Sequence, residues 1–394
     1  MSEKKRVRLF GCGKVAAEFY ANFKNEIIIE GAISNNPKEK VFSPQEGCDI
    51  EVCRPRAKEK EESLIILCSM AYQEMAEQLM LLGYEPFQDF MDYELASAVL
   101  SEKKLVLFYG FCHLRGIKDY LHHSDAFCSQ YRGFFCPNYL AQSSYDQHKL
   151  HYLAMHCSVL LYGIAVTPEN HRKNETVLRL IGEGTRKLCM QGVYFGAYFP
   201  QKKRLFNTMN PYAVKSEGRD YTPFSYGDSW LNECIDQGMT ADDVLEALSA
   251  GKIFELDFVK NYLEDEWKRI RFLETQSDIK IAEYIQKHFQ ERRLFRNEAH
   301  MENEILKQYA AQVLDAIGLS ADLPEIEEAL MRCSQHLIYP EVARELELEW
   351  DVEKEMLELY TYDGWKQMTV REYVEQYMMY CRQIKSLKEY ALFP

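Results

Sequence analysis

The fold of this chain is decided by the stretch KLVLFYGFCHLRG, residues 104–116. Its apolar run ends at Gly110, and a helix-like pattern with Leu114 and Ile117 follows. This order predicts a buried strand, a tight turn and the start of a helix. Cys112 lies in the turn, where free backbone N–H groups and a helix dipole would stabilise a thiolate or a bound phosphate. The alternative is a buried thiol on an ordinary strand–helix turn.

The composition bounds the class of protein. The chain has 394 residues, 47% of them hydrophobic and 13% aromatic, so two or three packed domains are expected. The net charge of −14 argues against a nucleic-acid partner, which would need a basic face. The apolar runs are shorter than the about 20 residues of a membrane helix. The 12 cysteines form no CxxC pair. A cytoplasmic protein with reduced thiols, no membrane span and no metal site is therefore predicted.

Residues 1–100 are predicted to form a small Rossmann-like domain with a parallel sheet. Strand-like apolar runs at 7–10, 27–33 and 63–68 alternate with helical patterns. Such alternation is typical of parallel sheets.

The first of these strands runs into a G-x-G-x-x-A pattern that contains Gly11 and Gly13. These glycines would let the backbone approach a phosphate at a helix N-terminus, which predicts a nucleotide site. The second strand ends in Ser34, Asn35 and Asn36, whereas a full dinucleotide site has an acidic residue there to hold the ribose. A glycine turn kept for packing is the alternative.

A larger α/β domain is predicted over residues 101–320, followed by a helical C-terminal part over 321–394. The C-terminal part is expected to cover the core or to form a homo-oligomer contact through its helices. Within these domains we expect strands at 157–163 and 187–190, a loop-rich segment at 122–146, a loop over a site at 201–224, and helices at 175–181, 254–276, 278–289, 303–318 and beyond 340.

Three arginines stand close together in this acidic protein. Arg292, Arg293 and Arg296 could hold a phosphate or pyrophosphate through charge-assisted hydrogen bonds. The alternative is that they pair with the many glutamates nearby. The aromatic segment at 193–200 is typical either of a pocket wall or of the edge of a packed core.

The second domain resembles the WcbI family of polysaccharide-biosynthesis proteins over residues 103–318. The departures from the family pattern include Phe111 and His113, which stand where the family has Asn and Gln, and Ala299, which stands where the family has Asn before a histidine. The family motifs G-N-C-Q, D-V-L-L-Y-Q, V-Y-F-x-G-Y-H-P, Y-x-D and R-L-F-x-T-x-N-H-P correspond to Gly110–His113, Ser158–Gly163, Val193–Pro200, Tyr226–Asp228 and Arg293–His300.

The resemblance implies an acetyltransferase that uses coenzyme A to modify a sugar of bacterial capsular or surface polysaccharide. Cys112 would be a nucleophile or would line the thioester end of the cofactor. His300 or His113 would be the general base, with Asp228 orienting it. Backbone N–H groups at 111–113 would stabilise an oxyanion. The residues implied to bind the cofactor are Gly110, Phe111, Arg115, Tyr198, Arg292, Arg293 and Arg296, with Gly11 and Gly13 for a nucleotide.

The N-terminal segment resembles the small Rossmann-like domains attached to bacterial sugar-modifying enzymes. The residues that match their pattern are Gly11, Gly13, Asn36, Pro37 and Leu82-Gly83-Tyr84.

Two other functions remain open beside acyl transfer to a small-molecule sugar. One is a thiol-dependent hydrolase, a deacetylase or thioesterase, that uses the same cysteine, histidine and aspartate with water as acceptor. The other is a non-catalytic scaffold subunit that binds coenzyme A or a nucleotide sugar, because Phe111 and His113 remove two hydrogen-bonding side chains of the family turn.

Overall fold

The protein was analysed as a computed structural model, which describes residues 4–36, 38–59, 63–140, 142–202, 224, 227–361 and 363–391. It contains two compact units. The first unit comprises residues 1–114 and 124–188, and the second comprises 115–123 and 189–394.

The first unit begins with a six-stranded sheet in the order β3-β4-β2-β1-β5-β6. Strand β1 pairs in parallel with β2 and β5, and β3 and β4 form an antiparallel edge. The predicted α/β class with parallel sheets is therefore confirmed. The strands are β1 (Lys5–Phe10), β2 (Ile27–Ile33), β3 (Val41–Gln45), β4 (Cys48–Cys53), β5 (Leu64–Leu67) and β6 (Phe90–Asp92), with helices α1 (Lys14–Phe23), α2 (Tyr72–Leu81) and α3 (Tyr93–Leu100).

A second sheet in the same unit has four strands in the order β10-β9-β7-β8. Its central strand β7 is buried from Leu105 to Gly110 and pairs in parallel with a neighbour on each side. This burial on both faces explains why β7 is continuously apolar. The elements are β7 (Lys104–Gly110), α4 (Cys112–Leu121), α5 (Asp125–Gln130), β8 (Tyr131–Pro137), α6 (Ser144–His156), β9 (Val159–Gly163), α7 (Pro168–Leu180) and β10 (Arg186–Met190).

A buried ion pair joins the two sheets through α6. Lys149 in α6 lies 3.0 Å from the carboxylate of Asp92, which caps α3. The hydroxyl of Tyr145 donates to the same carboxylate at 2.9 Å and accepts from the backbone N–H of Asp92. Each polar group in this buried network has a partner, as a charge pair removed from water requires.

The second unit is largely helical and contains two small antiparallel hairpins. Helix α4 continues from the first unit into this one at Arg115. The elements are two short 3-10 helices (Gly196–Tyr198 and Pro200–Lys202), α8 (Ser229–Asp236), α9 (Ala241–Ala250), α10 (Phe258–Glu274), α11 (Ala282–His288), β11 (Phe295–Asn297), β12 (His300–Met301), α12 (Asn303–Ala316), α13 (Pro340–Glu345), β13 (Leu357–Thr361), β14 (Gly364–Met368) and α14 (Val370–Ala391).

Two segments differ from the expected structure because strand pairing overrides their local pattern. The segment 122–146, expected to be loop-rich, contains α5 and β8, and β8 pairs with β7 along its whole length. The tail, expected to be helical beyond 340, contains the β13–β14 hairpin between α13 and α14. Leu357 and Leu359 alternate into the core there, and Gly364 has φ +98°, which suits a turn.

The helix expected at 278–289 is shorter than predicted. Helix α11 covers only Ala282–His288, because the residues before it make other hydrogen bonds. The backbone N–H of Asp278 donates to the carbonyl of Cys189, and the N–H of Lys280 donates to the side chain of Gln312. The loop expected at 201–224 lies outside the described residues except for Gln201, Lys202 and Phe224. In the part of the chain that the structure describes, every helix is too short or too polar to cross a bilayer.

Replacing Gly11 by alanine should destabilise the first unit. Gly11 has φ +113°, and a Cβ atom there would lie 2.6 Å from the carbonyl oxygen of Cys68. The strain and the overlap together should lower the free energy of unfolding by about 2–4 kcal/mol in a denaturant titration. Gly184→Ala is the matched control, since a Cβ there meets nothing within 4 Å and should cost less than about 0.5 kcal/mol. Equal stability of both variants would contradict this explanation of Gly11.

Candidate active site

The turn after β7 has the predicted strand–turn–helix geometry. Gly110 has φ +146°, and a Cβ atom there would lie 3.0 Å from Leu114 Cδ1 and 3.3 Å from the backbone nitrogen of Gly163. Glycine is therefore required both by the backbone conformation and by the close approach of β9. Helix α4 begins at Cys112 immediately after the turn. The prediction of a buried strand, a tight turn and a helix start is confirmed.

Cys112 lies at the carboxyl edge of the second sheet. From β7 the chain crosses to β8 on one side and then returns to β9 on the other side, so the strand order reverses between β7 and β9. Ligands of open α/β sheets bind at the carboxyl ends of the strands at such a reversal. Cys112 is half-buried, forms no disulfide and is the first residue of its helix. A helix N-terminus favours an anion, so this position can stabilise a thiolate.

The aromatic ring of Phe111 occupies the space beside Gly163. A Cβ atom at Gly163 would lie 2.1 Å from Cε1 of Phe111, so a side chain at position 163 would displace this ring. The ring of Phe111 also packs edge-on against His113, with the centroids 5.3 Å apart. His113 is fully buried. Where the family motif has a polar side chain, this chain therefore places an apolar ring between the ends of β7 and β9.

Arg115 lies one helical turn after Cys112 in α4. Its side chain is 70% exposed and forms a long ion pair, 3.7 Å from Asp119. An exposed guanidinium of this kind remains able to bind a phosphate in bidentate geometry. Arg115 is thus an accessible cation among the residues predicted to bind the cofactor.

His300 lies in the second unit, in the tight β11–β12 hairpin. Its Nδ1 atom lies 3.0 Å from the side-chain oxygen of Asn297. Burial, and then the positive charges of Lys202 and Arg296, lower the pKa of His300 to about 4. The imidazole is therefore neutral at pH 7, as a group that accepts a proton must be.

Lys202 sits in a cluster of buried titratable groups next to this hairpin. Its Nζ atom lies 2.6 Å from Glu298 Oε2 and 3.0 Å from His336 Nδ1. Burial lowers the pKa of the Lys202 ammonium, and Glu298 partly offsets that effect. Burial also lowers the pKa of His336 well below its usual value, with Lys202 contributing in the same direction. Perturbed pKa values in such a cluster are typical of functional sites, although structural ion pairs also produce them.

Asp228 is buried and caps helix α8. Its carboxylate accepts from the backbone N–H of Leu231 at 2.9 Å and from the hydroxyl of Tyr339 at 2.8 Å. Burial raises the pKa of this carboxyl group above its usual value. These contacts are those of a structural cap, and the role of Asp228 in orienting a base stays a prediction. Because Cys112 belongs to the first unit, and Asp228 and His300 belong to the second, the convergence of the three also stays a prediction.

The three clustered arginines all contact glutamates. Arg292 binds Glu304 at 2.7 Å through Nε. Arg293 binds the two oxygens of Glu355 at 2.6 Å each, and Arg296 pairs with Glu302 and Glu358. These contacts are the glutamate pairing that the sequence left open as an alternative. A phosphate-binding role for the arginines stays a prediction, and it would require these ion pairs to open.

The remaining residues predicted to bind a ligand have different surroundings. The ring of Tyr198 is fully buried, and its hydroxyl donates to the carbonyl of Phe289 at 2.5 Å. Gly13 is the residue before α1, and a Cβ atom at Gly13 would meet nothing within 4 Å. At the end of β2, the amide of Asn35 makes two hydrogen bonds to Gln78. The nucleotide site at the glycine loop stays a prediction.

Sequence reasoning missed four residues around His300, namely Lys202, Asn297, Glu298 and His336. Lys202 and Glu298 are charged residues in polar stretches, and such stretches are typical of a solvent-exposed surface. Asn297 is three residues before His300 and is fully buried. The one usable signal was the spacing of Asn297 and His300 in a segment already singled out for its histidine.

The fold and these features define an α/β protein with a thiol at the carboxyl edge of a parallel sheet. The family described as "Polysaccharide biosynthesis enzyme WcbI" matches residues 105–322, more than half of the chain. The chain therefore belongs to the WcbI family of polysaccharide biosynthesis enzymes, as the sequence motifs predicted.

Known structures include one relative with the same fold. It is described as WcbI, a novel polysaccharide biosynthesis enzyme, in its native form without a disulfide bond between coenzyme A and a cysteine. It has a TM-score of 0.54 and 15% sequence identity, and the match covers 72% of this chain and 93% of that one. A search among curated proteins finds no match to this chain.

Removing the charge of Lys202 should raise the pKa of His300. In an NMR titration of the ring protons we expect a value near 4 for the unmodified protein. Lys202→Met removes a positive charge that disfavours the imidazolium and leaves Glu298, whose negative charge favours it, so both effects act upward.

Two variants serve as controls for this titration. Lys202→Arg keeps the charge and should keep the low pKa. Lys307→Met removes a lysine that pairs with Glu325 elsewhere in the second unit and should leave the titration unchanged. A pKa near 6.5 in the unmodified protein, or a fall after Lys202→Met, would show that the electrostatic explanation is wrong.

Proposed function

We propose that this protein transfers an acetyl-type group from acyl-coenzyme A to a hydroxyl or amino group of a sugar in bacterial capsular or surface polysaccharide biosynthesis. The observation that carries the proposal is the position of Cys112. It is the first residue of α4, at the point where the strand order of the second sheet reverses. The structural relative, described in a form without a disulfide bond between coenzyme A and a cysteine, supports placing the cofactor next to a cysteine here as well.

Cys112 would act at the thioester end of the donor. The N-terminus of a helix favours negative charge, so the start of α4 would stabilise the oxyanion that forms on the thioester carbonyl. Two chemical roles for the thiol fit this place. Cys112 could attack the carbonyl and carry the acyl group as its own thioester, or it could line the site while the acceptor attacks directly.

His300 would supply the proton transfer in either case. In direct transfer the neutral imidazole would take the proton from the acceptor hydroxyl as the new bond to the carbonyl carbon forms, and would give it to the coenzyme A thiolate as the carbon–sulfur bond breaks. In the covalent route it would do so twice. It would first move the proton of the Cys112 thiol to the leaving coenzyme A thiolate, and then move the acceptor proton to the leaving Cys112 thiolate when the acceptor takes the acyl group. His300 fits this role better than His113, because His113 is fully buried against Phe111.

Arg115 would bind a phosphate of the donor. It is largely exposed and lies on the same helix as Cys112, whereas Arg292, Arg293 and Arg296 are engaged with glutamates. The residues present therefore fit coenzyme A in two respects, a thiol at a helix N-terminus for the thioester and an exposed guanidinium for a phosphate.

A non-catalytic binding subunit is the second candidate, and the contact between Phe111 and Gly163 favours it. This ring replaces a hydrogen-bonding side chain with an apolar surface at the carboxyl edge of the sheet. Such a surface can still bind the pantetheine arm of a cofactor but offers no polar group to the reaction. Tight binding of coenzyme A without turnover on any sugar would support this candidate.

Cys112→Ser and His300→Ala should each lower acetyl transfer from labelled acetyl-coenzyme A to a sugar acceptor by about 10²–10⁴-fold, the range that positioned acid–base groups contribute. Cys128→Ser is the matched control, because Cys128 is also a half-buried thiol on a helix and should be replaceable without loss. Undiminished turnover in both test variants would exclude the proposed roles. Equally fast release of coenzyme A without any acceptor would instead indicate the hydrolase.

Arg115→Gln should raise the KM for acetyl-coenzyme A about tenfold while leaving kcat within about twofold, because it removes a charge-assisted bond to a non-reacting group. With S-acetylpantetheine, which lacks the phosphates, the variant and the unmodified protein should have the same KM. Arg179→Gln, at an 80% exposed arginine that pairs with Glu175 on α7, is the control. An equal loss with both donors would show that Arg115 does not bind a phosphate.

A further inference from the structure

The β11–β12 turn contains an asparagine whose side-chain oxygen and nitrogen both make hydrogen bonds. Asn297 is fully buried, and its Oδ1 atom accepts from the backbone N–H of Ala299 at 2.9 Å. Its Nδ2 atom donates to the thiol sulfur of Cys333 at 3.3 Å. The same Oδ1 atom lies 3.0 Å from Nδ1 of His300.

These contacts determine which atom of the asparagine faces the histidine. A backbone N–H can only donate, so the atom that it meets must be the amide oxygen and not the amide nitrogen. An amide oxygen can only accept a hydrogen bond, and therefore Nδ1 of His300 must carry a hydrogen. In the neutral imidazole the lone pair is then on Nε2.

We propose that Asn297 is the positioning residue of the proposed general base, fixing His300 in the tautomer whose Nε2 atom accepts the proton. Only the role of His300 as a base rests on the proposed function. Its tautomer does not depend on that function. The arrangement follows the same logic as the triads in which a third residue holds a catalytic imidazole in one orientation.

Charged groups also act on the ring of His300. The described residues place Lys202 on a 3-10 helix and Arg296 on β11 near the ring, with Glu298 and His336 beside Lys202. Lys202 and Arg296 are cations that disfavour the imidazolium, and Glu298 is held by Lys202 at 2.6 Å. The neutral oxygen of Asn297 orients the ring without adding a charge that would protonate it.

The first experiment measures the tautomer by the ¹⁵N chemical shifts and long-range proton correlations of the His300 ring at pH 7. We expect a single Nδ1–H tautomer in the unmodified protein. Asn297→Ala removes the acceptor and should produce a mixture of tautomers or the Nε2–H form, which is intrinsically favoured for a free imidazole. An Nε2–H tautomer in the unmodified protein, or an unchanged tautomer in Asn297→Ala, would overturn the inference.

A matched variant separates orientation from simple loss of stability. Asn303 also makes three side-chain hydrogen bonds, to the carbonyls of Ile326 and Glu328 and from the N–H of Leu330. Asn303→Ala should destabilise the protein without changing the tautomer of His300. If Asn297→Ala does not fold, Asn297→Asp keeps an acceptor oxygen of the same size and should keep the Nδ1–H tautomer while its charge raises the pKa of His300.

The kinetic readout distinguishes failure of this inference from failure of the proposed function. Asn297→Ala should lower kcat for acetyl transfer by about 10–10²-fold with little change in the KM for the donor, and Asn297→Asp should recover part of kcat with the acid limb of the pH profile moved upward. Loss of the tautomer without loss of kcat would overturn the positioning role. A fixed tautomer in a protein that transfers no acyl group would leave Asn297 as described and reject the acyltransferase.

Discussion

The parallel pairing of β7 with its two neighbours is the constraint on which the candidate site depends. The register that aligns Lys104 with Tyr131 also aligns Gly110 with Pro137, so the strands end together at one edge of the sheet. On the other side, a Cβ atom at Gly110 would crowd the backbone nitrogen of Gly163 in β9 at 3.3 Å, and φ +146° also disfavours a side chain there. The chain must then turn within a residue and begin α4 at Cys112. The thiol therefore lies at the carboxyl edge of the sheet.

The second unit meets a different constraint, the burial of charge. Lys202, Glu298 and His336 are all less than 10% exposed, and burial of these groups is tolerable only because they contact one another. Burial, together with the positive charges of Lys202 and Arg296, keeps His300 neutral, and the side-chain oxygen of Asn297 lies next to its Nδ1 atom. The polar interior of this unit therefore surrounds one neutral imidazole. Burying these charged groups costs desolvation free energy, and proteins tolerate such a cost at functional sites.

Predictions from sequence succeeded where local pattern and tertiary structure agree. The run before Gly110 and the helical pattern after Cys112 are continuous in the chain, so the strand, the turn and the helix could be predicted together. Strand β8 could not, because Arg132 and Gly133 interrupt its apolar pattern and it forms only against β7. The β13–β14 hairpin was hidden in the same way by the acidic residues around Leu357 and Leu359.

In the candidate site, too, some residues could be predicted from the sequence and others could not. Cys112 and His300 could be singled out by residue type and by motif. Asn297 and Lys202 could not, since polar and charged residues are read as exposed until the fold buries them. The glutamate partners of Arg293 and Arg296 lie up to 62 residues away in sequence, so only the fold shows that these cations are engaged. Local motifs thus indicate where chemistry can occur, and the packing decides which side chains are available for it.

The central claim is that the thioester end of the acyl donor lies at Cys112, and a mixed-disulfide mapping tests it most directly. Coenzyme A disulfide is mixed with the protein, each thiol that attacks it releases one coenzyme A thiol, and the modified cysteine is located by peptide mass spectrometry. Solvent exposure alone favours Cys53, which is exposed, over Cys112, which is half-buried. We expect modification first at Cys112, suppressed by excess desulfo-coenzyme A, which has no thiol to exchange with the disulfide, but not by ethanolamine. Modification first at Cys53, with Cys112 unreactive, would contradict it.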